Sequence, residues 1–191
     1  MSQSWPSTPT PLTPGEYALD ASHTRVGFVA RHLMVTKVRG DFKTVEAKIR
    51  IGDSPEESSA EAVIQIDSVD TNDQKRDAHL RSADFFDAEK FPTMTFRSTR
   101  VEPAGGSHYK VTGDLTIRDQ THPVTLDVEY SGAARTPWGS TAAGITASAE
   151  IDRETWGLTW NVALESGGVL VSKKIQLEIE AEIGAVVAVA A

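Results

Sequence analysis

The sequence predicts an all-β fold, a closed antiparallel barrel of eight strands with one short helix. Three observations favour it: apolar and polar residues alternate along most of the chain, turn-forming residues separate the alternating segments, and one segment lacks the alternation. A period of two places one side of each strand against a core and the other in water. A sheet whose consecutive strands pair removes its exposed edges only by closing on itself.

The alternating segments follow one another as strands joined by short turns. The last shows the pattern best, because Ile175 and Leu177 share one face while Gln176 and Glu178 share the other. The predicted strands run at 16–20, 24–33, 38–51, 59–68, 93–102, 108–118, 123–134, 140–152 and 174–186. The segment DQKRDAHLRSAD, residues 73–84, is rich in helix formers and predicts the single helix.

The predicted barrel forms one domain over residues 15–186 of the 191. Residues 1–14 hold four prolines among Ser and Thr and predict a disordered tail, with neither the basic nor the apolar region of a signal peptide. Residues 187–191 form a short C-terminal tail. No stretch approaches the roughly 20 apolar residues of a transmembrane helix. We therefore expect a cytoplasmic protein.

Charge and cysteine content exclude several classes of function. The net charge of −8 repels phosphate backbones, and no dense Lys/Arg run offsets it, so a nucleic-acid partner is not expected. The chain has no cysteine, which excludes disulfides, thiolate metal sites and a cysteine nucleophile.

The contents of the barrel decide its function. The strand at 140–151 has small residues on both faces, which either leave an apolar cavity or allow close packing against a neighbouring element. Aromatic residues cluster around the helix and on other strands, where they either line a tunnel or form ordinary core: Phe28, Phe42, Phe85, Phe86, Phe91, Phe96, Trp156 and Trp160.

Four segments together resemble the YceI-like polyisoprenoid-binding family. They are YALDASHTRVGFVARHLMVTKVRGDF, SVDTNDQKRDAHLRSADFFDAEKFPTMTFRST, VTGDLTIRDQTHPVTL and IDRETWGLTWN, and they extend over nearly the whole body from Glu16 to about Glu182. The second is the most specific. Three residues depart from the family's usual pattern: Asp119, Trp156 and Ser172. The larger Trp156 is expected to shorten or reshape the lumen, so the resemblance does not fix the chain length of the ligand.

The resemblance implies a lipocalin-like barrel that encloses an isoprenoid chain, such as a quinone tail. It also implies a binding, storage or transport protein and not an enzyme, with no cofactor besides the bound lipid. Homodimers occur among such proteins. Exchange of the lipid would require transient contact with a membrane.

Polar residues on the predicted helix are candidates for a headgroup site. The spacing of Arg76, Asp77 and His79 places Arg76 and His79 on neighbouring faces, where they either donate to a quinone carbonyl or serve only local salt bridges and capping. The alternative function is an enzyme or isomerase acting on a hydrophobic substrate, with His79 or Asp77 as acid or base. No histidine spacing supports a metal site, and no serine motif supports a nucleophile.

The predicted ligand-binding residues combine the aromatic and polar candidates. They are Phe28, His32, Phe42, Arg76, Asp77, His79, Leu80, Phe85, Phe86 and Trp156.

Overall fold

A computed structural model describes residues 10–165 and 167–186 of the chain. The strands are β1 (Gly15–His32), β2 (Thr36–Phe42), β3 (Val45–Ile51), β4 (Ser59–Gln65), β5 (Val69–Asp70), β6 (Thr93–Pro103), β7 (His108–Ile117), β8 (Gln120–Arg135), β9 (Thr141–Asp152) and β10 (Lys174–Ala185). The α-helix α1 spans Gln74–Arg81, and short 3-10 turns lie at Pro55–Glu57, Ile66–Ser68 and Arg153–Trp156.

Eight of these strands close into the predicted antiparallel barrel. Their order is β1, β3, β4, β6, β7, β8, β9 and β10, and pairing of β10 with β1 completes the ring. The remaining two, β2 and β5, extend the sheet at one end, where β2 pairs with the upper half of β1. We call the end with β2 and α1 the upper end, and the opposite end the lower end.

The first two predicted strands, 16–20 and 24–33, form one long strand, β1. Its register against β10 shifts between Asp20 and Arg25, so the intervening residues form a bulge. Bulges let a strand bend and twist without ending. The sequence predicts a break here because the mainly polar segment DASHT at 20–24 interrupts the alternation.

The predicted strand 38–51 is divided at Lys43 and Thr44. The backbone N–H of Lys43 donates to the carbonyl of Ser68 (3.1 Å), and the N–H of Thr44 donates to the Ser68 hydroxyl (3.0 Å). Because these groups bond the Ile66–Ser68 turn, the strand that contains them separates into β2 and β3.

The helix α1 is shorter than the predicted 73–84. Asp73 caps its start by accepting from the N–H of Lys75 (3.0 Å) and of Arg76 (3.1 Å). Ser82 ends it, because its backbone is extended and its hydroxyl donates to the carbonyl of His79 (2.7 Å). The described residues contain no helix that is long and apolar enough to cross a membrane.

Residues 1–9 and 187–191, which belong to the two predicted tails, lie outside the described residues. The end of the N-terminal segment contacts the lower end of the barrel. The hydroxyl of Tyr130 donates to the carbonyl of Thr10, that of Tyr17 donates to the carbonyl of Thr13 (2.9 Å), and Leu12 packs beside them.

Candidate ligand cavity

The interior of the barrel contains a cavity of about 860 Å³. Pockets that enclose small-molecule ligands run to roughly 300–1,000 Å³. The wall is formed by inward-facing residues of the strands and is mainly aliphatic and aromatic, including Val26, Ala47, Ile64, Val111, Leu126, Ile145, Leu177 and Ile179. The barrel is therefore hollow, and its interior suits an apolar ligand.

The small residues of β9 serve both of the roles that the sequence left open. Ala147 lines the cavity, together with Ile145 and Ile151 of the same face. Ala143 and Ala149 are buried in the packed cores of the lower and upper ends. The outer face carries Gly144, Thr146 and Ser148, in agreement with the predicted alternation.

Aromatic rings gather at the upper end of the cavity. The ring centroids of Phe28 and Phe42 lie 5.8 Å apart, and Phe86 stands edge-on to Phe42 at 5.8 Å. Phe85 and Trp160 are separated by 5.4 Å. A Cβ at Gly40 would collide with the ring of Phe28, so any larger residue here would have to displace that ring.

Eight of the ten predicted ligand-binding residues line the cavity: Phe28, His32, Phe42, Arg76, His79, Leu80, Phe85 and Phe86. Of the other aromatic candidates, Phe96 and Trp160 also line it, whereas Phe91 does not and lies under the guanidinium of Arg118 (5.7 Å). For the eight lining residues, a role in ligand binding stays a prediction.

The structure places Asp77 outside the cavity lining, which corrects its predicted position. Its Oδ1 is buried and accepts hydrogen bonds from the N–H (2.9 Å) and the hydroxyl (2.6 Å) of Thr71. Through these two hydrogen bonds, Asp77 therefore holds α1 against the segment after β5. Of the two residues predicted as the acid or base of an enzyme, His79 lines the cavity and Asp77 does not.

Trp156 also lies outside the lining, so its size does not narrow the cavity directly. The side chain is buried in the packed core of the upper end, and its Nε1 donates to the carbonyl of Leu115 (2.9 Å). Its ring packs edge-on against His122 at 5.3 Å.

Arg76 and His79 line the cavity but already have partners within the protein. Arg76 donates from Nε to the hydroxyl of Thr71 (2.8 Å) and from Nη2 to its carbonyl (2.8 Å). His79 Nε2 lies 2.8 Å from Asp84 Oδ2, and its ring packs against Trp160 at 4.5 Å. Both side chains thus stabilise the upper end of the barrel.

Sequence reasoning missed Arg153, a buried cation on the cavity wall. The two-residue alternation of β9 could have identified it. Ala147, Ala149 and Ile151 face inward, and the same alternation extended by two residues places Arg153 inward as well. Burial lowers the pKa of the Arg153 guanidinium, while Glu154 and Asp152 raise it. The group remains charged at physiological pH.

A group of possible metal ligands, Asp20, His23 and Glu182, lies on the outer surface at the bulge of β1. Hydrogen bonds from Ser22 and His23 lower the pKa of Asp20 to about 2, and the bond to Asp20 raises the pKa of His23. Sequence spacing did not predict the group, because Glu182 comes from β10. It takes no part in the cavity.

Comparisons with known proteins agree with this architecture. A family model described as the YceI-like domain matches residues 17–183. A UPF0312 protein of Staphylococcus aureus is 38% identical over 169 residues, which cover 87% of this chain and 95% of the relative. Neither description states a ligand.

Two solved structures share the fold. The YceI protein of Campylobacter jejuni is 32% identical, with a TM-score of 0.71 over 82% of this chain and 90% of that one. A polyisoprenoid binding domain from Saccharophagus degradans is 14% identical, with a TM-score of 0.68 over 89% of this chain and 98% of that domain.

Proposed function

Because this chain belongs to the YceI-like family, we propose that it binds the apolar chain of an isoprenoid lipid, such as a quinone tail, inside its barrel. The observation that carries the proposal is the apolar cavity of about 860 Å³. A polyisoprenoid binding domain among the structures of the same fold supports the class of ligand. The proposed role is binding and transfer of the lipid without chemical change.

Extraction of the purified protein with organic solvent, followed by mass spectrometry, tests this function. We expect a stoichiometric amount of an unmodified isoprenoid lipid. A matched pair of variants on β9 ties the lipid to the cavity: Ala147→Trp fills it from the inner face, whereas Ser148→Trp adds the same ring to the outer face.

We expect Ala147→Trp to lose the lipid and Ser148→Trp to keep it. Because overpacking can destabilise a barrel, Ala147→Leu provides a smaller change with the same direction. Retention of a full complement of lipid by folded Ala147→Trp, or recovery of a chemically altered lipid from the native protein, would contradict the proposal.

Transfer requires a route between the cavity and a membrane, and the turn between β1 and β2 supplies a contact surface. Leu33, Met34 and Val35 are exposed there, Val35 to 78%. The neighbouring His32 lines the cavity, and the N–H of Leu33 donates to the carbonyl of Leu170, another lining residue (2.9 Å). The exposed apolar tip is thus continuous with the upper end of the cavity.

The backbone of this tip supports a functional role. Leu33 (φ 53°) and Met34 (φ 60°) are both left-handed, and the N–H of Val35 donates to the carbonyl of His32 (3.1 Å). Hairpin turns with two left-handed residues prefer Asn-Gly. A left-handed residue other than glycine costs roughly 1–2 kcal/mol, so the chain places apolar side chains here at the expense of stability.

The double substitution Leu33→Asn, Met34→Gly tests the tip, because it should stabilise the fold and at the same time impair lipid transfer. We expect it to raise the free energy of unfolding by about 1–2 kcal/mol and to slow lipid transfer between liposomes. Trp138→Ser is the control, because Trp138 is 88% exposed in the turn between β8 and β9 at the lower end. Transfer by the tip variant at the rate of the native protein would refute membrane contact through this turn.

A further inference from the structure

The guanidinium of Arg153 is held in place by two backbone carbonyls. Its Nε donates to the carbonyl of Ser172 (3.0 Å), and its Nη1 donates to the carbonyl of Leu158. The ring of Phe85 lies against its face, with the Arg153 Cζ 5.8 Å from the ring centroid. The side chain is 4% exposed, so its orientation is fixed within the wall.

One nitrogen of this group, Nη2, is buried without a hydrogen-bond partner in the described part of the chain. Within the described residues, neither of the acidic neighbours Glu154 and Asp152 forms an ion pair with the Arg153 guanidinium. Glu154 binds the ammonium of Lys173 (2.8 Å), and Asp152 accepts from the N–H of Glu154 (3.0 Å). Buried cations are normally paired, because removing a charge from water is unfavourable.

Arg76 and His79, the polar candidates on α1, have protein partners. Thr71 accepts from Arg76, and Asp84 pairs with His79. Within the described ranges, Arg153 is the cavity-lining cation that combines burial with an unpaired donor. Most of the cavity wall is aliphatic or aromatic, so Arg153 marks a buried polar position within it.

We propose that Arg153 binds the acceptor oxygen at the end of an apolar ligand chain, through the free Nη2. This inference rests on the proposed function and adds the position and chemistry of the headgroup site. The oxygen belongs either to a carbonyl, as in a quinone, or to a carboxylate, as in an isoprenoid acid. The headgroup therefore lies against Arg153 and Phe85, within the wall, and not on α1 beside Arg76.

Isoprenoid probes of similar length test the site in the native protein. Geranylgeranylacetone carries a ketone, geranylgeranoic acid carries a carboxylate, and phytane is a hydrocarbon without an acceptor. A hydrogen bond from a charged donor corresponds to about a tenfold to hundredfold preference. We expect at least one oxygenated probe to displace a fluorescent apolar ligand at a concentration about tenfold lower than phytane does. The tighter of the two identifies the source of the oxygen.

Two variants locate the preference. Arg153→Met removes all donors, and Arg153→Lys keeps the charge in case the first does not fold. Arg81→Met is the matched control, because Arg81 also donates to two backbone carbonyls, those of Asp67 (3.1 Å) and Val69 (2.8 Å), but does not line the cavity. We expect the preference to disappear in Arg153→Met, to shrink in Arg153→Lys and to persist in Arg81→Met.

A signal from the native protein keeps the test independent of folding in the variants. In a ¹H–¹⁵N spectrum of arginine side chains, the Arg153 resonance should shift with the oxygenated probes and not with phytane. Equal displacement by phytane and the oxygenated probes would overturn the headgroup site while leaving the lipid-binding function intact. Failure of all three probes to bind would instead overturn the proposed function.

Discussion

Replacement of Asp77 by alanine should loosen the upper end of the barrel. The substitution removes the acceptor of two hydrogen bonds from Thr71, whose N–H and hydroxyl are buried. A buried donor without a partner costs about 1–3 kcal/mol, and here the N–H has no alternative while the hydroxyl can rotate. We expect a loss of about 3 kcal/mol in the free energy of unfolding. For a chain of this size, that lowers the melting temperature by about 6–12 °C.

Thermal unfolding followed by circular dichroism measures this loss, with Asp84→Ala as the control. Asp84 pairs with His79 at 2.8 Å, but its side chain is 52% exposed, and exposed ion pairs contribute about 0–1 kcal/mol. Asp77→Asn keeps an acceptor oxygen and should lose less than Asp77→Ala. If Asp84→Ala lowers the free energy of unfolding as much as Asp77→Ala does, the hydrogen bonds of Asp77 do not hold α1 in place as we infer.

Three further outcomes are expected. Phe86→Asp should empty or unfold the barrel, because Phe86 lines the apolar wall and an unpaired charge there costs several kcal/mol, whereas Thr95→Asp on the outer face of β6 should do neither; lipid content after purification decides. Because the folded pKa of Asp20 is lowered from 3.8 to about 2, its contribution to the free energy of unfolding is present above pH 3.8 and is lost as pH falls toward about 2. Asp20→Asn should also lower the pKa of His23, which an NMR titration measures. EDTA should leave both the melting temperature and the lipid content unchanged, and a shift in either would revive a metal site.

The barrel could be predicted from the sequence because its alternation survives along almost every strand. Within β7 and β8, threonines on the outer face pair across strands, Thr112 with Thr125 (2.9 Å) and Thr116 with Thr121 (2.8 Å), while Leu115 and Val124 face inward. The bulge in β1 and the division at Lys43 were missed because both depend on hydrogen bonds to residues distant in sequence.

The polar part of the site was harder to predict. The spacing of Arg76 and His79 indicates that they lie on neighbouring faces of α1, but it does not indicate which acceptors their donors reach. Asp77 was selected with them, yet its carboxylate turns away to Thr71. Arg153 follows directly after β9. Only the three-dimensional arrangement shows that two of its nitrogens donate to carbonyls and that the third has no partner among the described residues.

Occupancy of the cavity by a ligand should affect both the stability and the lifetime of the folded protein. A ligand that occupies the cavity binds the folded barrel and not the unfolded chain, so at a hundred times its Kd it adds about 2.7 kcal/mol to the free energy of unfolding. Typical domains have only about 5–15 kcal/mol in total. The melting temperature of a preparation therefore reports the fraction of molecules that are loaded. In a cell, where proteases remove unfolded chains, the steady-state amount of this protein should rise and fall with the supply of its ligand.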